Sequence, residues 1–288
     1  MKRRTLLALA GSLGIRAQQV PDTEFDPPLG PPAFGAGKGP VVGIDEGHHN
    51  FHTVSGRYQS FARVLRKDGF TVRAAGEAQD VLVIANALHA SNSDTWRLPN
   101  PPAFSEAEVA RIEAWVHGGG ALLLIADHQP FPGAASTLAA TFGATFHNGY
   151  AVDPAHGGGV IRWERAGGRL RDHATTRGVE WVTTFQGSAF QAPGAVPLLV
   201  FGEKAESFIT TRPGQTGGQR TATVAIGGWL QGAVLEHGRG RVAIFGEAAM
   251  FSAQWAGPRR RPMGMNAPDA RHNARLLINV ARWLVRAL

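Results

Sequence analysis

The sequence predicts an α/β fold, a three-layer sandwich built on a mostly parallel central sheet. Three observations predict it. Short, wholly apolar runs at residues 41–44, 81–84, 121–126 and 242–245 suit strands buried on both faces. Segments with apolar residues at helical spacing alternate with the first of these, the pattern of βαβ units. Glycines and capping residues punctuate the joins.

Residues 1–17 read as an export signal. Lys2, Arg3 and Arg4 precede an apolar run over residues 6–15, and Arg3-Arg4-Thr5-Leu6-Leu7 has twin-arginine character, which implies a periplasmic or secreted protein. Residues 18–40 read as a linker, because six prolines and four glycines fall within residues 20–40. A single α/β domain follows over 41–288. Its first strand, 41–44, ends at Asp45. Tyr58, Phe61, Ala62 and Leu65 then mark a helix that Gly69 stops. Strands are expected at 70–73 and 81–84. Ser105-Glu106-Ala107-Glu108 is a capping box opening a helix with Val109, Ile112 and Val116 inward, and Gly118-Gly119-Gly120 closes it. The strand 121–126 and a helix over 134–142, ended by Gly143, come next. Between about 152 and 220 the alternation lapses into a segment rich in Gly, Thr and Arg, read as an irregular, partly β insertion. Strands return at 223–226, 233–236 and 242–245. A helix over about 270–286, with Leu277, Val280 and Leu284 on one face, ends the chain.

Composition narrows the function classes. Apolar residues at 43% against 18% charged are enough to bury a core. The absence of cysteine excludes disulfides, thiolate metal sites and a cysteine nucleophile. The net charge of +7 invites a nucleic-acid reading, but four of the 29 basic residues lie in the first 17 positions. Without them 25 basic residues face 22 acidic ones, and no nucleic-acid partner is expected. No stretch of 18 apolar residues exists, so no integral membrane span is expected.

In open α/β sheets ligands bind beyond the carboxyl ends of the strands. Those ends carry Asp45-Glu46-Gly47-His48-His49-Asn50-Phe51-His52, then Asn86 and His89, then Asp127-His128-Gln129, then Gly246-Glu247. Imidazole nitrogens with carboxylate oxygens are the ligands a divalent metal such as zinc takes, and bound water then becomes a nucleophile near neutral pH. Asp45, His48, Asp127 and His128 are the candidate metal ligands. Glu46 and Glu247 are the candidate catalytic bases. His52, Asn86 and His89 are candidate substrate-binding residues. Taken singly, each has a plainer role: Asp45 or Glu46 as a helix cap, His52 as a loop residue, His89 ordering a polar turn, and Phe51 and Phe131 as packing residues. No Gly-x-Ser-x-Gly elbow, phosphate loop or Gly-x-Gly-x-x-Gly occurs, so no nucleotide is expected.

The run from Gly118 to Gln129 resembles the nucleophile turn of class I glutamine amidotransferase-like domains, in which a glycine-rich helix end leads into an apolar strand and a reactive cysteine. The cysteine position falls on Ala126 and the following glycine on His128, and the late His-x-Glu pair has no counterpart. Cysteine-dependent amidotransferase chemistry is therefore not implied. Asp45-Glu46-Gly47-His48, Asn50-Phe51-His52-Thr53, Ala126-Asp127-His128, Pro130-Phe131-Pro132-Gly133-Ala134 and Gly246-Glu247 to Met250-Phe251 resemble an uncharacterised bacterial branch of that superfamily. Relatives of it occur in trehalose-utilisation-like proteins and in auxiliary proteins of gliding-motility-type transporters. The resemblance covers residues 41–150 and the part from 233 onward, and it implies a flavodoxin-like sandwich. Two functions follow as expectations. One is an exported metal-dependent hydrolase acting on a small or carbohydrate-like polar substrate. The other is a non-catalytic binding or transporter-associated module with a protein partner in the cell envelope.

Overall fold

The computed structural model describes residues 19–214 and 219–288. The expected export signal, residues 1–17, lies outside the described residues. Four helices occur among them: α1 (Gln59–Lys67), α2 (Glu106–His117), α3 (Phe131–Thr141) and α4 (Asn273–Leu284). The first strands are β1 (Gln19–Pro21), β2 (Val41–Ile44), β3 (Thr71–Ala74), β4 (Val81–Ala85) and β5 (Ala121–Ile125). The middle of the chain adds β6 (Thr145–His147), β7 (Tyr150–Val152), β8 (Val160–Glu164), β9 (Trp181–Phe185), β10 (Ala189–Gln191), β11 (Val196–Val200) and β12 (Glu206–Thr210). The last are β13 (Arg220–Ala225), β14 (Leu230–His237), β15 (Gly240–Phe245), β16 (Ala253–Ala256) and β17 (Arg261–Gly264). No helix among the described residues is long and apolar enough to cross a membrane.

The mostly parallel sandwich expected from the sequence is not what forms. Seventeen strands outnumber the four helices, and only β3, β2, β4, β5 and β15 run parallel to their neighbours in that order. The same nine-stranded sheet continues antiparallel through β14, which pairs with β15, β10 and β11, and β10 pairs with β6. Three further sheets, β1-β16-β17, β13-β12-β7 and β8-β9, are antiparallel throughout. The physical reason lies in one turn. His237 pairs with Gly240, so two residues join β14 to β15. A parallel connection needs a crossover of a dozen residues or more.

The parallel half places the site. Alternate residues of its strands enter two apolar clusters on opposite faces. Leu123, Ile125, Ala243 and Phe245 pack with Phe61 and Leu65 of α1 and Leu277 and Val280 of α4. Leu122, Leu124, Val242 and Ile244 pack with Val116 of α2 and Leu138 of α3. Each fully buried side chain of this size stabilises the fold by roughly 1.5–3 kcal/mol relative to exposure. The register aligns the carboxyl ends: Ala85 lies beside Ile125, and Ile125 beside Phe245. Asp45, Asn86, Asp127 and Glu247 therefore follow their strands along one edge of the sheet.

Of the expected linker, 18–40, the described residues 19–40 do not hang free. β1 pairs with β16, and Phe25, Leu29 and Phe34 pack against the core. The segment forms a strap across α1 and α4, fastened where Arg282 donates to the carbonyl of Pro31 at 3.0 Å.

Candidate functional site

The first loop of the edge is organised by Asp45. Its carboxylate accepts the backbone N–H of Gly47 at 3.2 Å, faces His48 Nδ1 at 2.9 Å and accepts the Asn50 amide. Asn50 Oδ1 in turn accepts the N–H of Ala85, which ties the loop to β4. His48 Nε2 faces Glu108 Oε1 at 3.4 Å, and its ring lies 4.3 Å from that of Phe104. Burial pushes the Asp45 carboxyl up, but the bond and charge of His48 outweigh it and hold the carboxyl below its usual value. The Asp45 hydrogen bond raises His48 above its usual value, against burial and with help from Glu108. His48 stands between two carboxylates, which favour its protonated form.

Asn86 and Asp127 join the next two strand ends. Asn86 adopts a left-handed conformation, φ 62°, and its Oδ1 accepts the N–H of Asp127 at 2.9 Å. That fixes the amide so that its NH₂ faces His52 Nδ1 at 3.4 Å. His52 is buried, lies 4.6 Å from the Tyr58 ring, and its Nε2 has no partner among the described residues. Burial, then the charge of Arg57, holds it well below the usual histidine value, so it is neutral. Asp127 Oδ1 accepts the N–H of His128 at 2.7 Å and Oδ2 that of Ala248 at 3.3 Å. His128 Nδ1 bonds the carbonyl of Gln129 at 2.8 Å. A carbonyl only accepts, so Nδ1 carries a proton, and in the tautomer this selects Nε2 is the acceptor. The ring stacks on Tyr150 at 4.7 Å.

Glu247 is sealed. It has no exposed surface, and its two oxygens accept the N–H groups of Ala249 and Met250 at 2.7 Å each. Burial and the charge of Asp127 push its carboxyl well above the usual range, against those bonds. Its carboxylate thus holds the first N–H groups of the turn Ala249–Phe251. Glu46 closes its own loop, accepting the N–H of Val54 at 2.8 Å. His89 is exposed and caps the turn Ala90–Asn92, accepting the N–H of Ser91. Neither joins the others. The four expected metal ligands fall into two pairs of sequence neighbours, Asp45 with His48 and Asp127 with His128. Among the described residues no three His, Asp or Glu side chains are grouped as a metal ion requires.

Two features escaped sequence reasoning. Arg57 stands just before α1 with its guanidinium 4.8 Å over the Phe51 ring, and its charge interacts with Asp127. Phe51, Trp96 and Phe131 meet one another at 5.2–5.5 Å. Phe131 is buried, whereas Phe51 and Trp96 are half-buried. Trp96 follows β4, so inspecting more residues beyond each strand end would have found it; Arg57 had no local signal beyond its place in a β–α connection. The insertion supplies a wall. Thr210 and Gln129 exchange hydrogen bonds at 3.2 and 3.3 Å, Gly214 donates to the Tyr150 hydroxyl at 2.6 Å, and a Cβ on Gly214 would fall 2.7 Å from the Trp96 ring. A separate cleft of about 440 Å³ is lined by Val54, Gln59, Arg63, Arg66 and Lys67. Its cations are occupied: Arg63 by the Phe25 carbonyl, Arg66 by that of Val72 and Lys67 by Asp26.

Comparison with solved structures bears on the fold. The mmIFT52 N-terminal domain matches with a TM-score of 0.56 at 14% identity, over 85% of this chain and 97% of its own. A ThuA-like protein from Bacteroides uniformis ATCC 8492 gives 0.47 at 13%, over 90% of this chain and 94% of its own. Cytoplasmic Protein STM3548 from Salmonella typhimurium gives 0.48 at 15%, over 85% and 98%. The first similarity is one of fold alone, and the other two are too distant to carry an argument. No protein-family profile matches the sequence, and no curated protein matches it.

Proposed function

We propose that this chain binds a small polar, carbohydrate-like molecule at the carboxyl edge of its parallel strands. One observation carries the reading. A half-buried aromatic surface, Phe51 and Trp96, adjoins Arg57 and, through the buried Phe131, His128, at the edge where Asp127 is held. Aromatic faces receive the apolar faces of sugars, and a few fixed polar groups set orientation. A second reading, hydrolysis at the same place, is favoured by His128, whose Nδ1 proton is engaged by the Gln129 carbonyl, which makes Nε2 the ring's acceptor. A divalent ion such as zinc would find two separate pairs of donors here, so no step is carried through a metal. Cysteine chemistry is excluded, because the corresponding position is the buried Ala126. The proposed place of action is the cell envelope or beyond, on the strength of residues 1–17, and a protein partner there belongs to the same proposal.

Calorimetric titration with neutral and acidic mono- and disaccharides tests the reading. Saturable binding that Trp96→Ala weakens by about tenfold, the share of one aromatic contact of about 1.5 kcal/mol, is the expected result. No binding to any saccharide overturns it. Release of product from a bound disaccharide, lost in His128→Ala, would add hydrolysis. Elemental analysis of the same preparation shows whether a metal accompanies the activity.

A further inference from the structure

Resting on that reading, we infer that the ligand carries an acidic group and that Arg57, with His52 beside it, receives that group. A guanidinium has five N–H donors and no acceptor. Among the described residues, Arg57 makes no hydrogen bond and no ion pair; its one close partner is the Phe51 ring. Three arginines elsewhere show the paired alternative, while Arg169, in the insertion, likewise keeps a buried Nη1 without a partner among the described residues. Arg282 holds Asp68, Arg241 holds Glu236, and Arg220 holds Glu206. Arg57 is half-buried, and burial depresses its pKa despite the pull of Asp127. Its desolvation is therefore uncompensated by any hydrogen-bond acceptor among the described residues. The cation–π contact occupies one face of the group and leaves the in-plane donors unused.

His52 makes the same point independently. Its Nδ1 accepts from the Asn86 amide, so the proton lies on Nε2, which is buried and unpartnered. Arg57 is close enough for its charge to act on this ring. Two donors without acceptors, five residues apart in the loop before α1, thus belong to the edge where a ligand is proposed. Asp127 does not fill them: its carboxylate bonds the N–H groups of His128 and Ala248 and keeps lone pairs to spare. A carboxylate matches a guanidinium in geometry as well as charge. Asp127 in turn suits a hydroxyl hydrogen of the same ligand. A hydroxylated acid, a uronic acid among sugars, meets both demands.

Calorimetric titration of the full chain with glucuronate, glucose and glutarate decides the matter. Glucuronate should bind at least about tenfold more tightly than glucose, the share of one charge-assisted contact. Arg57→Gln should remove that preference, and Arg57→Lys should keep part of it, with circular dichroism confirming that both variants fold. Equal affinity for glucuronate and glucose in the wild type overturns the inference and leaves saccharide binding standing. Glutarate binding that depends on Arg57, with neither sugar bound, supports the acidic group and overturns the carbohydrate reading. Binding of none of the three overturns both.

Discussion

His52 and Glu247 are ionisable side chains held in the interior, and each is pushed toward its neutral form. For His52 the folded value lies below the ordinary 6.5, so protons favour the unfolded chain. Its contribution is fully present above pH 6.5 and is lost as pH falls below that. The melting temperature of the wild type should therefore drop more steeply between pH 7.5 and 5.5 than that of His52→Phe. Equal slopes would assign the loss to another group. Glu247→Gln keeps one acceptor but turns an NH₂ toward a backbone N–H of the capped turn. It should cost about 1–3 kcal/mol in denaturant unfolding, while the folded variant binds ligand as the wild type does. A variant of undiminished stability that no longer binds would return Glu247 to the ligand. The strand-end rule made Asp45, Asn86, Asp127 and Glu247 legible as a set, because it needs only apolar runs and the residues just beyond them. It could not separate them by role. Both Glu247 oxygens are consumed by residues two and three positions on, and both His48 nitrogens face carboxylates, one of them 60 residues away.

At the scale of elements, local chemistry is what a sequence expresses best. The capping box at the start of α2 forms as Ser105 and Glu108 predict, each satisfying the other's backbone N–H. The Ser105 hydroxyl, then its N–H, holds the Glu108 carboxyl down at about 2 from an ordinary 4.5. A lowered carboxyl contributes stability above pH 4.5 that is lost as pH falls toward 2. Ser105→Ala should cost about 1 kcal/mol at pH 7, measured by urea unfolding. The gap to wild type should narrow at pH 3.5, where Glu108 of the unfolded chain is already being protonated; a gap that persists unchanged would show that Glu108 does not depend on Ser105. The insertion was harder to read for the opposite reason. Glu206 of β12 pairs with Val152 of β7, and Leu170 bridges to Leu199, so its pairings are set by distant partners and not by period or caps. Its Gly/Thr/Arg-rich composition announced irregular β structure but not that Thr210 and Gly214 would stand against Gln129, Tyr150 and Trp96.

At the scale of the whole molecule, the parallel half and its antiparallel continuation differ in one connection. The apolar run of β15 reads the same whether its neighbour is parallel or antiparallel, and β15 has one of each, β5 and β14. The decisive feature is Gly238 at φ 58° in a two-residue turn, which only an antiparallel pair can use. The strap over residues 19–40 is a second long-range feature, since proline and glycine content speaks of extension and not of what the extended chain lies on. Its anchor is Asp68, 2% exposed, which holds Arg282 through two hydrogen bonds and accepts the N–H of Ala33 at 3.1 Å. Arg282 donates onward to Pro31, so one buried carboxylate joins α1, α4 and the strap. Asp68→Asn should leave Arg282 without its counter-charge at a cost of about 3 kcal/mol, the low end for breaking a buried pair. The strap should loosen with it, and limited proteolysis should cut within residues 22–38 faster than in the wild type, before the domain itself is degraded. Lower stability with unchanged cleavage there would mean that β1 pairing and the packing of Phe25 and Phe34 hold the strap without Asp68, and that the ion pair serves the contact between α1 and α4 alone.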